Sequence, residues 1–116
     1  MNHKDMKVWN LSMQLVEEVY KISSNFPKQE MYGMTSQIRR AVVSVPSNLS
    51  EGAARNGNKE FINFLGVSLG SLAEVETQLL IASRLGYADT NELLPLVGRV
   101  RALIIALKRY LKKSMS

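Results

Sequence analysis

At 116 residues, 46% of them hydrophobic, the chain has the length of one ordinary domain and enough apolar mass for a core. It contains no cysteine, which excludes disulfides, thiolate metal sites and a cysteine nucleophile and suits a reducing compartment. The formal charge of +5 is unevenly placed: no acid follows Glu92, whereas Arg99, Arg101, Lys108, Arg109, Lys112 and Lys113 do, a pattern that points to an anionic partner.

The opening, MNHKDMKVWN, carries charges where a secretion signal needs an apolar run, and no apolar segment approaches the ~20 residues of a membrane span. A cytoplasmic location without membrane contact is therefore expected. The N-x-S sequons at Asn10 and Asn48 then have no glycosylation machinery to meet them.

A first helix is predicted over Asp5 to Asn25. At helical rotation Trp9, Met13, Val16 and Tyr20 fall on one line, with Val8, Leu15, Val19 and Ile22 beside it and Asn10, Gln14, Glu17, Glu18 and Lys21 opposite. Phe26-Pro27 ends the segment.

The second segment contains the stretch SVPSNLSEG, which reads like a turn. Across residues 37–51, however, Ile38, Val42, Val45 and Leu49 keep one side, and Gln37, Arg40, Ser44, Ser47, Asn48 and Glu51 keep the adjacent one. The phase does not slip at Pro46, as a turn would make it do. A helix running through Pro46 and kinked there is predicted. Its cost is about 3 kcal/mol, partly offset by nearby serine hydroxyls. The competing reading has Asn48-x-x-Glu51 opening a new short helix after a break. The run EGAARNGN supplies terminators between Gly52 and Gly57, before Asn58 caps the third helix.

That third helix, Asn58 to Tyr87, aligns Phe61, Phe64, Leu65, Leu72, Val75, Leu79 and Ala82. A second stripe of Ile62, Leu69, Ala73 and Leu80 makes more than half its circumference apolar. A fourth helix follows the capping-box pattern Asp89-x-x-Glu92 and runs to about Lys113. Its core side carries Leu93, Leu96, Val97, Val100, Leu103, Ile104, Leu107 and Leu111, with Pro95 in the tolerant first turn. Four amphipathic helices with short connections predict an all-α, antiparallel up-down four-helix bundle over residues 1–116.

Catalytic chemistry finds little support. Di-iron and di-manganese bundles need inward Glu-x-x-His pairs, and the only histidine is His3, so neither a metal centre, nor a triad, nor any cofactor is expected. Gly52–Lys59 superficially resembles a phosphate loop. It has an extra residue before the lysine, Glu60 in place of Ser or Thr, and no preceding strand.

Two polar patterns remain. The stripe of Gln37, Arg40, Ser44, Asn48 and Glu51 reads either as a solvated face or as an internal network with Glu74 or Glu76, in which Glu76, if buried, would need a cation such as Arg40. The six cations of the fourth helix read either as solubility residues or as a phosphate-contacting surface. Aromatics are few and not interleaved with these cations, so stacking on bases is not expected. Gly98, Ala102 and Ala106 form a small-residue ridge beside Leu94 and Ile105. With the second stripe of the third helix, this ridge predicts a homo-oligomer.

Residues 37–52, QIRRAVVSVPSNLSEG, together with Val8-Trp9, Phe26-Pro27, Glu30, Tyr32-Gly33, GSLAEVE at 70–76 and Leu85-Gly-Tyr87, resemble the four-helix-bundle family of bacterial 23S rRNA intervening-sequence proteins. That family includes the accessory variability determinant of diversity-generating retroelements. The likeness covers about residues 8–87. It implies an up-down bundle assembling as a homopentamer with a basic surface and, for retroelement members, nucleic acid and reverse transcriptase partners. The function expected is that of a non-enzymatic accessory protein binding RNA or DNA without sequence readout. The alternative is a structural or protein-interaction scaffold with no nucleic acid partner.

Overall fold

A computed structural model describes residues 2–115. It contains four helices, α1 (Lys7–Ser23), α2 (Met34–Ala53), α3 (Asn58–Arg84) and α4 (Leu93–Lys113), with short 3-10 turns at His3–Asp5 and Lys28–Glu30. There is no strand among the described residues. The chain is an all-α bundle of 49 × 23 × 20 Å. The helices pair as α1 with α2, α2 with α3, α3 with α4 and α4 with α1, the arrangement of four rods at the corners of a square.

Contacting pairs give the registers. Ser44 meets Ser71, Ser68 meets Val45, and Gly52 faces Phe61 and Phe64, so numbers rise along α2 as they fall along α3. Glu76 with Arg101 and Gly66 with Lys108 repeat the pattern between α3 and α4. Each of these neighbouring pairs therefore runs in opposite directions, as the four-residue link between α2 and α3 requires of two helices packed along their lengths.

α2 passes through Pro46 without a break. The proline removes the backbone donor that would reach the Val42 carbonyl, and the nearby serine hydroxyls go elsewhere: Ser50 Oγ donates to the Pro46 carbonyl at 3.0 Å and Ser68 Oγ, from α3, to the Val45 carbonyl at 2.9 Å. Val42, Val45 and Leu49, fully buried around it, hold the segment helical through packing. No second helix opens at Asn48, which instead donates to the Ser44 carbonyl of the same helix at 2.8 Å.

The core is formed by Leu15, Val19, Ile38, Val42, Val45, Leu49, Leu65, Leu72, Val75, Leu79, Val97, Val100 and Ile104, all fully buried. On α1 the line that faces inward is Val8, Ser12, Leu15, Val19 and Ser23. The line Trp9, Met13, Val16, Tyr20 lies on the flank toward α2, with Met13 and Tyr20 exposed. Periodicity could not choose between two adjacent apolar lines, because a serine on the true core line weakened it.

Three helix ends also differ from expectation. Gly57, not Asn58, is the N-cap of α3, and no side chain caps it. The Asp89-x-x-Glu92 capping box does not form. Asp89 Oδ1 accepts from the Asn91 N–H at 3.1 Å, and the Thr90 carbonyl takes the N–H groups of Leu93 and Leu94. α3 ends at Arg84 rather than Tyr87, and its C-terminus is closed by Gly86 at φ +76, which lets the Tyr87 N–H reach back to the Ala82 carbonyl at 2.9 Å. A β-carbon there would be strained, because the left-handed region costs a non-glycine residue about 1 kcal/mol or more.

α3 corrects one further expectation. By length and composition it is apolar enough to cross a membrane, the one such helix among the described residues. Its core line, however, is buried against the other helices of the bundle, with Leu65, Leu72 and Leu79 fully enclosed.

Candidate nucleic-acid interface

The rotation of α4 divides its six cations. Arg101, Lys108 and Lys112 lie on the flank facing α3, Arg109 and Lys113 point outward, and Arg99 lies toward α1. Arg101 is engaged: its Nη2 donates to Glu76 Oε1 at 2.8 Å, both side chains being about one-third exposed (35% and 37%). Lys108 is half-buried, its Nζ lying 3.9 Å from where a β-carbon would stand on Gly66. Arg109, Lys112 and Lys113 are exposed.

Arg99 lines a cleft of about 500 Å³ between α1 and α4, shared with Gln14, Glu18, Lys21, Asp89 and Glu92. Three carboxylates beside two cations leave that cleft without a preferred sign. Arg99 is thus separated from the basic cluster by its own surroundings as well as by more than two turns of helix.

The fold adds cations that α4 alone does not show. The C-terminal end of α4 lies at the α2–α3 link, where Leu111 shares a hollow with Ala53, Arg55, Asn56, Gly57, Asn58 and Phe61. The start of α1 reaches the same end: Trp9 lies in a groove with Pro46, Ser47 and Ser50 near the close of α2. Exposed Lys4, Lys7 and Lys59 therefore join Lys108, Arg109, Lys112 and Lys113 at one end of the bundle. Arg55 is there too but is occupied, lying 3.3 Å from Glu51 and 3.9 Å from Glu60, with its guanidinium over the Phe64 ring.

The expected polar network is only partly assembled. Ser44 and Asn48 do connect inward: Ser44 Oγ and Ser71 Oγ are 2.8 Å apart, and Asn48 Nδ2 donates to Ser44 Oγ at 2.9 Å. Arg40 does not reach Glu76; it donates to Ser36 Oγ at 3.2 Å on the exposed surface of α2. Glu51 pairs with Arg55, and Glu74 accepts from Gln78 Nε2 at 3.2 Å. The partner of Glu76 is Arg101 because of rotation about α3: Ser71 faces α2, and Glu76, five residues on, is turned away from it toward α4.

Among the described residues no group of three or more His, Asp or Glu side chains is placed to hold a metal ion. His3 sits in the turn before α1 with its ring edge-on to Trp9, centroids 5.1 Å apart. The bundle thus has a proline buried inside its second helix and a lopsided basic end. The family description that matches it is that of the 23S rRNA-intervening sequence proteins, over residues 4–109. The chain belongs to that family. The match runs well into α4, beyond the residues 8–87 whose likeness is evident by eye. No curated protein matches the chain closely enough to count as a relative. For a 23S rRNA-intervening sequence protein an accessory, non-enzymatic role is compatible with what is seen, and family membership assigns no catalysis.

Proposed function

We propose that this protein is a non-enzymatic accessory protein that binds RNA or DNA through phosphate contacts at the basic end of its bundle, without reading sequence, and that it acts as a homo-oligomer. The observation that carries this reading is the convergence of Lys4, Lys7, Lys59, Lys108, Arg109 and Lys112, drawn from three helices and the turn before α1, onto one end of the bundle. Glu51 and Glu60 also lie at this end, both within 4 Å of Arg55, but the cations outnumber them; an excess of cations attracts a polyanion over a Debye length, and phosphate contacts position a strand without selecting bases. Within this set α4 contributes no acid at all.

Filter binding of a structured RNA at two ionic strengths tests the proposal. Affinity is expected to fall steeply with salt, and replacing Lys108, Arg109, Lys112 and Lys113 together by alanine is expected to flatten the log–log slope by about 3. Binding indifferent to salt, or a slope unmoved by the fourfold variant, would overturn it.

Assembly rests on a separate observation. Val67, Leu80, Ile81 and Leu85 on the outer side and C-terminal end of α3 are each at least 40% exposed, more apolar surface than a single bundle helix needs to show water. The resemblance to the family supports a pentamer. Light scattering at micromolar concentration is expected to give a mass several times that of one chain, and a monomeric mass would remove this part. An oligomer that binds no nucleic acid would favour the scaffold reading instead.

A further inference from the structure

The one exposed large hydrophobic side chain on α4 is an aromatic. Tyr110 follows Arg109 and precedes Leu111 and Lys112, and it is 62% exposed. Leu111, 4% exposed, pins this turn of the helix to the core, so the ring beside it is directed outward by the backbone and not by fraying. One turn earlier on the same face stands Ala106, too small to cover the ring. Among the described residues Tyr110 has no ring partner and no hydrogen bond to its hydroxyl; the only bonds it receives, from Ser114, go to its backbone carbonyl. The expectation that no aromatic is interleaved with the cations is thus corrected at this position.

Proteins that hold single strands combine a positive surface with an aromatic ring on which a base stacks, an arrangement that tolerates any sequence because every base has a π-face. A duplex keeps its bases stacked inside and offers such a ring nothing. A contact with a second copy of the chain is a poorer match for this spot, because it would desolvate Arg109, and lysine such as the nearby Lys112 is depleted at protein interfaces. The N-terminal turn that carries Lys4 packs on α1 and α2 and does not contact α4, so the cations beside the ring are those of α4 itself.

We propose that Tyr110 stacks on an unpaired base of a strand whose backbone crosses the outer arc of α4, passing from the ring over Arg109 toward Lys112 on the α3 flank, so that the ligand of the basic end is single-stranded nucleic acid. This rests on the phosphate-binding reading above and narrows it. RNA and DNA share the chemistry of an unpaired base, and separate probes distinguish them.

The test is fluorescence anisotropy with labelled oligouridine and oligothymidine of roughly 12 nucleotides, within the usual site size, and with a duplex of the same length, at fixed salt. For Tyr110→Ala the single-strand affinity is expected to fall by about 5- to 150-fold, the duplex affinity to stay within about twofold, and the salt slope to remain that of the parent. Tyr110→Phe should restore binding, and Tyr110→Leu, which keeps apolar bulk without a ring, should not. Equal losses on both probes, no loss on either single strand, or a loss accompanied by a fall in light-scattering mass would overturn the inference. If the parent chain binds none of the probes, the phosphate-binding reading fails first. If the parent binds and its α4 cations carry the salt slope while Tyr110→Ala changes nothing, only the stacking inference falls. A preference for one of the two single strands would assign the sugar.

Discussion

The two ends of the bundle are built differently. At the end where α1 closes and α3 passes into α4, the links are knitted by specific contacts. Tyr87 donates its hydroxyl proton to Glu30 Oε2 at 2.8 Å, the other oxygen of Glu30 accepts the Met34 N–H at 3.2 Å, and the Phe26 and Tyr87 rings lie 5.9 Å apart. Arg39 adds a bond to Ser23 Oγ at 2.8 Å and lies over the Tyr20 ring. At the other end the link between α2 and α3 is four residues long, and most of the charged side chains around it point to water. One end uses its polar groups to hold the chain together. The other leaves them available, which is what a surface that recognises something outside the chain requires.

That contrast makes stability and binding separable, and it can be broken in four ways. The largest effect is expected at the knitted end: Phe26→Ala removes a ring that is 7% exposed and packed on Tyr87, and should lower unfolding free energy by about 3 kcal/mol or more in a denaturant titration. Nucleic acid affinity, measured well below the midpoint, should not change.

Gly52→Ala tests a place where the basic end is tightly packed. Its β-carbon would stand 2.8 Å from Phe64 Cβ and 2.9 Å from Phe61 Cδ1, and overpacking of this kind costs about 1–3 kcal/mol. A stable Gly52→Ala protein would mean that α2 and α3 can move apart there.

Tyr87 has an acidity that depends on its neighbour. The hydrogen bond to Glu30 raises its pKa above the ordinary tyrosine value of 10.0, and burial and the carboxylate charge add to the shift. A folded-state value above the unfolded one means that this contribution is fully present below about pH 10 and is lost as pH rises through the folded value. The parent chain should therefore be more stable than Tyr87→Phe at neutral pH, and the gap should close above pH 10. A gap constant with pH would show that the hydroxyl does not bond to Glu30.

The smallest effect on stability belongs to the basic end. Exposed cations replaced by alanine at 109 and 112 should each change stability by no more than about 0.5 kcal/mol, while together changing the salt dependence of binding. A large destabilisation would show that these side chains serve the fold, contradicting the division between the two ends.

Much of the helical organisation was legible in the chain itself. The unbroken phase across Pro46 sufficed to recognise a continuous α2, because apolar spacing reflects packing against a core and packing outweighs the local cost of a proline. The inward line of α1 and the caps of α3 and α4 were not legible. The first depends on which of two neighbouring lines meets α2 and α4, and the caps depend on backbone turns that several side chains could have satisfied. The candidate site was half visible: the cations of α4 stood out by charge, but Lys4, Lys7 and Lys59 are far from them in sequence.

What the sequence by itself determined was the number of helices, their continuity and the charge asymmetry of the chain, since these follow from local periodicity and composition. Only the tertiary structure decided that Arg101 belongs to Glu76 and not to a ligand, that lysines from the start of α1 and of α3 gather beside the end of α4, and that Tyr110 stands uncovered among them. The reason is geometric: which residues of opposed helices lie level is set by the links and by the rotation of each helix about its axis, and rotation is fixed only when all four faces have packed.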